Sequence, residues 1–426
     1  MTRAFLGTIL ALALSLPAAE ASQFMAGAAH RVVTPAVGHL LAGYGRDRAA
    51  TGVHDDLFAR AVVIGDNTNR IALVTIDSIG LTRPDILVIR RMIEARIPQL
   101  PAANVLISST HSHAGPDVVG LWGTSLLSSG RDSSYMQSLY EAVTAAVDEA
   151  NDRMVPVTSR VASGQAPLAW VENRSEPELL DRTMAVLQFM DLNGSTVATL
   201  TNFACHPTVL DGDNTLLSSD YVGGFYTAMS EALTGEHLFL QGAIGGWVQP
   251  LLTDHHTTMS TSGLLQQLGA QVASASLQLI ADAQENPWQP IVLRTESFDV
   301  ELENWGFWLM IRIGILERDL FDGAMRTEAA WLQLGQAQLV THPGETSPAF
   351  SLASRALMDA QHTFVLGLTQ DAMGYILKPD YFAEDAPYPH ASYLTSVSAG
   401  PTAGPELMRA LRKLIGARPN QGEPGT

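Results

Sequence analysis

One cysteine, Cys205, stands among the 426 residues, so no disulfide forms within the chain and a cysteine-rich zinc module is excluded. Lysine is almost as scarce, with Lys378 and Lys413 alone. Cations number 25 against 43 acids, a formal net charge of −18, and no basic run appears. General nucleic-acid binding is thereby excluded, because it depends on clustered Lys and Arg that release phosphate counterions. Also missing are internal repeats, low-complexity tracts, a Gly-x-Ser-x-Gly elbow, a His-Glu-x-x-His helix and a phosphate loop ending in Gly-Lys-Ser/Thr. Those absences remove the usual serine-hydrolase, zincin and phosphate-loop chemistries. At 46% hydrophobic and 16% charged residues, the chain is neither disordered nor a coiled coil. Its length allows a buried core without disulfides or structural metal.

Long hydrophobic runs are absent as well. Beyond the N-terminus no stretch reaches the ~18 uncharged apolar residues of a membrane span. The nearest, Trp305 to Leu316, is broken by Arg312 and flanked by Glu303 and Glu317. It reads as a core or half-buried helix, or as an apolar surface that meets a lipid chain or a membrane. The N-terminus carries Arg3, an apolar run from Phe5 to Leu16 and the small-x-small site Ala19-Glu20-Ala21. These are the three parts of a secretory signal peptide. The expectation is a signal over residues 1–21, a mature chain from about Ser22, and a secreted or periplasmic location.

The remaining pattern mixes strands and helices. Residues 60–65 and 71–76 are β-branched runs joined by the turn Asp66-Asn-Thr-Asn69. Residues 83–96 predict a helix with Pro84 in its first turn, and residues 135–151 and 264–283 predict two more. Residues 104–109 form a short buried strand. Two further hairpins are predicted, 184–190 with 196–202 and 328–334 with 337–341. Hairpins beside helices imply an α/β fold of mixed sheets flanked by helices, not a purely parallel sheet. A domain boundary is hard to place; Asp254 to Ser262 is the weak candidate.

Four strand ends carry residues able to do chemistry. Ser108-Ser-Thr-His-Ser-His-Ala-Gly-Pro116 follows a strand, and in an extended segment His111 and His113 point the same way. Two imidazoles on one face suit a transition metal or are simply polar loop residues. Asn202-Phe-Ala-Cys-His-Pro207 supplies His206. Cys205 should point away from it into the core, and no base at suitable spacing makes its thiol a nucleophile. Val340-Thr-His-Pro-Gly-Glu345 supplies Glu345 as an oxygen ligand or general base. Asp371-Ala-Met-Gly-Tyr375 supplies a phenol able to ligate a metal or donate to an oxyanion. Polar residues at strand-to-loop junctions are what a rigid scaffold presents when a site is built on its loops. The pair His255-His256 reads as an exposed loop feature.

Taken as an ordered set, these segments resemble the neutral/alkaline non-lysosomal ceramidases. The resemblance also includes Ala26-Gly-Ala-Ala-His-Arg-Val-Val-Thr-Pro35, Leu41-Ala-Gly-Tyr-Gly45, Gly52-Val-His-Asp-Asp-Leu-Phe-Ala-Arg60, Glu172-Asn-Arg-Ser175 and Leu216-Leu-Ser-Ser-Asp-Tyr221. It implies a zinc-dependent amidase that cleaves the N-acyl bond of ceramide. The ligands it implies are His111, His206, Glu345 and Tyr375. His113 would stand near the reacting carbonyl, and Arg174 would be the essential arginine. It also implies one catalytic unit over residues 22–426, with no room for the family's C-terminal immunoglobulin-like domain. The partner expected is an amphiphilic N-acyl small molecule, with transient membrane-surface contact and no obligate protein partner. The sequence departs from the family at Gln241-Gly-Ala-Ile-Gly-Gly-Trp-Val-Gln-Pro250, where the family's Asp and Ser are missing. Gly245, Gly246 and Gln249 are the groups expected to substitute. Another N-acyl amide, an ester, or a non-catalytic binding role stand as alternatives.

Overall fold

The computed structural model describes residues 24–66, 69–252 and 261–416. The signal-like segment, the turn residues Asn67 and Thr68, and His255-His256 lie outside the described residues.

A large mixed sheet forms the centre. Its strands, in chain order, are β1 (Phe24–Val32), β2 (Phe58–Gly65), β3 (Arg70–Ile76), β4 (Val105–Ser109), β5 (Val155–Gln165), β6 (Thr183–Asp191), β7 (Thr196–Phe203) and β8 (Glu236–Gln241). Spatially they run β8-β7-β6-β5-β1-β2-β3-β4, with Gln284–Glu285 added against β5. The outermost pairs, β3 with β4 and β7 with β8, are parallel; the pairs between them are antiparallel. A second sheet runs β9 (Val292–Glu301), β10 (Ala324–Leu334), β11 (Ala337–Thr341) and β12 (His362–Leu366), with β11 and β12 parallel.

The expected hairpins are present: β2–β3, β6–β7 and β10–β11 pair antiparallel. The helix α1 spans Arg83–Arg96, as the pattern predicts. Next come α2 (Ser133–Asp152), α3 (Tyr221–Ala232) and α4 (Thr261–Ala281).

Side-chain alternation explains the layers. Ala61 and Val63 on β2 face α1 and α2 in one apolar cluster. Val62 and Ile64 face the opposite way, into a second cluster that includes Leu332 and Phe364 of the other sheet. The outer face of that sheet packs Val340 and Val365 on Phe350 and Leu407, from helices α6 (Pro348–Leu357) and α7 (Ala403–Ile415). Helices α3 and α4 cover the remaining part of the large sheet. The fold is therefore α/β with mixed sheets, two of them packed face to face and helices outside; among the described residues no barrel closes. The segment Trp305–Arg312 is a short helix, α5, in which Phe307 alone is buried. Among the described residues no helix is long and apolar enough to cross a membrane.

Candidate active site

The ends of the parallel strands bring the site together. His111 lies just past β4, His206 just past β7 and Glu345 just past β11. A parallel bridge pairs Glu345 with Tyr375 directly. The Nε2 atoms of His111 and His206 approach Glu345 Oε2 at 3.3 and 3.1 Å. All three side chains are nearly or fully buried. The imidazole Nδ1 atoms are occupied elsewhere, His111 at the Ile79 carbonyl (2.5 Å) and His206 at the Val248 carbonyl (2.8 Å). A carbonyl can only accept, so each Nδ1 carries a proton, and each Nε2 meets the carboxylate through a second proton or through a cation held between them.

His113 completes the cluster. The ligand atoms of His111, His113 and His206 all lie within 4.8 Å of one another and could hold a metal ion, so the structure groups His113 with the two expected histidine ligands. Both of its ring nitrogens are buried without a hydrogen-bond partner. Orphaned buried nitrogens are rare unless an ion or ligand satisfies them, so the residues fit a metal centre. Burial, then the charge of His111 and His206, holds the His113 pKa well below 6.5.

The reason His111 and His113 converge differs from the expected one. The segment is not extended past Ser109; His111 has a left-handed φ of 72°, and this turn, rather than strand alternation, brings the rings to 4.9 Å. Behind His113, Gly43 leaves no space: a Cβ there would meet the ring at 2.4 Å. Arg48 fixes the loop by donating to the carbonyls of Ala42 (2.5 Å) and His113 (2.9 Å). Tyr44 packs edge-on against the His113 ring.

Glu345 is tuned by its neighbours. Burial pushes its pKa up, but His111 and His206 more than offset that and hold it below the usual carboxylate range. Burial, followed by the charge of Glu345, raises the Tyr375 phenol well above 10.0. His342 takes no part: it bonds Ser354 Oγ at 3.0 Å, and burial pushes its pKa down to about 3. Cys205 is a core residue, two positions past the end of β7.

The structure does not bring Arg174 to the cluster. It is exposed on the ribbon formed by Val171–Asn173 and Val248–Pro250, with its N–H donated to the Trp247 carbonyl at 3.2 Å. Two of the groups expected to replace the missing Asp and Ser are already engaged. The Gly245 N–H donates to Thr346 O at 2.9 Å, and the Gln249 amide donates to Glu172 at 2.9 Å. Trp247 occupies this position instead. It has a left-handed φ of 63°, packs on His390 and Tyr393 at 4.5 and 5.3 Å between ring centroids, and lies near enough to the Tyr375 phenol to favour its ionised form slightly. Sequence reasoning missed Trp247 and Arg48. The departure from the family stretch was the signal for the first; nothing in the sequence singles out the second.

A cavity of about 90 Å³ opens beside His111, His113 and Glu345 and is otherwise mostly hydrocarbon. Its apolar lining comes largely from α5 and from the loop after Asp117.

The fold has a solved counterpart. The crystal structure of neutral ceramidase from Pseudomonas aeruginosa aligns with a TM-score of 0.76 at 17% identity, over 92% of this chain and 73% of that one. In sequence, a neutral ceramidase of Drosophila pseudoobscura pseudoobscura is 30% identical over 192 residues, which is 40% of this chain and 27% of that protein. The Pseudomonas aeruginosa neutral ceramidase is 26% identical over 241 residues, 52% of this chain and 36% of that protein. These matches thus span about a quarter to a third of the length of the curated relatives. The neutral/alkaline non-lysosomal ceramidase N-terminal profile matches residues 24–254, more than half of the chain. The chain belongs to that family.

Proposed function

We propose that the protein is a zinc-dependent amidohydrolase that cleaves the N-acyl amide bond of ceramide or a ceramide-like amphiphile to a fatty acid and a sphingoid base. The observation that carries the reading is the convergence of two imidazole Nε2 atoms on the Glu345 carboxylate at 3.1 and 3.3 Å, beside His113, in a member of this family. His111, His206, Glu345 and Tyr375 hold the metal. When bound, zinc supplies Lewis-acid polarisation of the amide carbonyl and acidifies water.

The chain's own residues do the rest. The water oxygen bonds to the carbonyl carbon while Glu345 takes the water proton. The C–N bond then breaks, and Glu345 returns the proton to the leaving nitrogen, so one base serves as acid in turn. The N–H of neutral His113 and the O–H of Tyr375 face the developing oxyanion. Arg174, beside Trp247 on the surface, receives the outer polar end of the substrate. Exposed Trp305 and Trp308 on α5 suit transient contact with a lipid surface, because a chain of charge −18 is repelled by anionic lipid. Residues 1–21 direct export, and residues 22–426 act as one catalytic unit.

The test is a hydrolysis screen of a ceramide, short N-acyl amino acids and simple esters, with and without a chelator. Chelator-sensitive release of fatty acid from the ceramide is expected. Turnover confined to esters would shift the substrate, and no turnover in zinc-loaded protein would sink the enzymatic reading.

A further inference from the structure

A second set of side chains, none of them among the residues of the metal centre, is arranged for proton transfer. The short strand Gly52–Val53 pairs parallel with Leu216–Leu217, and the His54 N–H donates to the Leu217 carbonyl at 2.8 Å. His54-Asp55 therefore runs beside Ser218-Ser219. Asp55 accepts the Ser219 N–H (2.8 Å) and the hydroxyls of Ser218 (2.5 Å) and Ser219 (2.7 Å). Its Oδ2 also meets His54 Nδ1 at 2.6 Å. Glycines let α3 approach both this carboxylate and α4. A Cβ on Gly223 would lie 2.9 Å from Asp55 Oδ1, and one on Gly269 would lie 2.4 Å from the Tyr221 carbonyl. The first turn of α4 thereby reaches His54, and Ser262 Oγ stands 3.0 Å from its Nε2.

Hydroxyl, imidazole and carboxylate thus follow one another in a chain. In a neutral imidazole that donates its Nδ1 proton to a carboxylate, Nε2 is the acceptor, so the Ser262 hydroxyl donates to it. That is the relation of nucleophile, base and orienting acid that activates a serine, and it is recognised by geometry rather than by sequence order. No local motif marks it here, because 208 positions separate His54 from Ser262. Ser262 is exposed, within reach of a solute. It is the second residue of a 21-residue helix, whose N-terminus favours negative charge developing beside it. The side chains of His54 and Asp55 are 21% and 27% exposed, so water reaches the site and an oxyanion there is stabilised less than in a dry pocket. Such a site suits an ester, whose alcohol leaves readily, and not an amide.

The geometry points to Ser262 as the nucleophile of a second, metal-independent site that cleaves carboxylic esters, with His54 as its base and Asp55 holding the imidazole. Ser262 Oγ bonds to the ester carbonyl carbon while its proton passes to His54 Nε2. The carbon–oxygen bond to the alcohol breaks, and the alcohol oxygen takes that proton. Water then bonds to the acyl carbon and gives a proton to His54, which returns it to Oγ as the acyl–Oγ bond breaks and the acid departs. The test treats zinc-loaded protein with a monoalkyl fluorophosphonate, which loses fluoride as Oγ bonds to phosphorus, and maps the labelled peptide. Hydrolysis of 4-nitrophenyl butyrate is followed in parallel, with and without a chelator. One label per chain is expected, at Ser262, at a rate that falls about 10²-fold or more in His54→Gln. Ester hydrolysis that resists the chelator should be present in the parent and lost in Ser262→Ala, which removes only an exposed hydroxyl. An unlabelled Ser262 overturns the proposal. So does a labelling rate unchanged in His54→Gln, or an absence of chelator-resistant hydrolysis in the parent, or its survival in Ser262→Ala. The metal reading is judged separately, by chelator-sensitive amide hydrolysis, and either can fail without the other.

Discussion

The histidine side of the cavity and its hydrocarbon side are held in place by different means. On the first, backbone carbonyls of Ile79 and Val248 fix the rings of His111 and His206, and a parallel bridge sets Glu345 against Tyr375. On the second, polar anchors from Asn304 and Asp117 hold the backbone of α5 and of the loop after Asp117, while their side chains project freely. Leu126, Leu127, Trp305, Trp308 and Ile313, all on these two segments, are between 41% and 77% exposed. Chemistry is thus built into the frame, where a small displacement costs much. On the proposed reading, contact with substrate falls to side chains that can change without disturbing that frame.

The harshest way to break this contrast is to remove the shared carboxylate. Glu345→Ala should lower kcat/KM by about 10³-fold or more while circular dichroism stays that of the parent, since the rings keep their carbonyl partners. Loss of fold together with activity would show that the site is not separable from the frame.

How far the sequence foretold this differs between the two sides. The helix at 83–96 and all three hairpins were legible because their apolar periodicity and turn residues are local signals. So were His111, His206, Glu345 and Tyr375, each marked by a polar residue at a strand end. The left-handed φ of His111 was not, nor was the carbonyl of Val248 behind His206, because both depend on contacts between distant segments. Strands β1 and β5 were passed over: their Ala, Gly, Ser and Arg residues carry weak β signals, and pairing in the middle of the sheet overrides them. The segment from Trp305 was legible as a helix with two roles left open. The structure makes it a half-buried helix, with Phe307 inward and Trp305 and Trp308 exposed; contact with a lipid surface stays a proposal.

A milder probe asks how Trp247 links the frame to the substitution in the family stretch. Its left-handed backbone costs a bulky residue roughly 1–2 kcal/mol. Trp247→Gly relieves that strain, so the melting temperature should hold or rise. Turnover should fall about tenfold as Tyr375 loses its indole neighbour. A melting temperature that drops sharply would make Trp247 a structural residue only.

Asp220 probes the polar side through pH. Its carboxylate accepts the N–H groups of Val209 and Leu210, in the loop that follows His206. Burial is the main cause of its pKa rising from 3.8 to about 7. The folded value lies above the unfolded one, so the folded state binds this proton more tightly. The resulting stability is complete below about pH 4 and is lost as pH rises to about 7. Denaturant titrations should therefore show stability declining over that window by at most ~1.4 kcal/mol per pH unit from this group, and Asp220→Asn should flatten the decline. An unchanged slope would contradict the assignment.

The smallest effect is expected on the hydrocarbon side. Trp308→Ser should reduce turnover of substrate in liposomes about threefold, through lost insertion of an aromatic edge, and leave turnover of a soluble amide unchanged. Equal effects on both substrates would mean that α5 serves the cavity rather than a lipid surface.

The central claim is that His111, His206 and Glu345 form a metal centre, and elemental analysis of the purified protein tests it most directly. The account predicts about one zinc per chain, retained through dialysis and lost in His111→Ala and His206→Ala. A parent protein that folds, hydrolyses amide and carries no stoichiometric metal would contradict it.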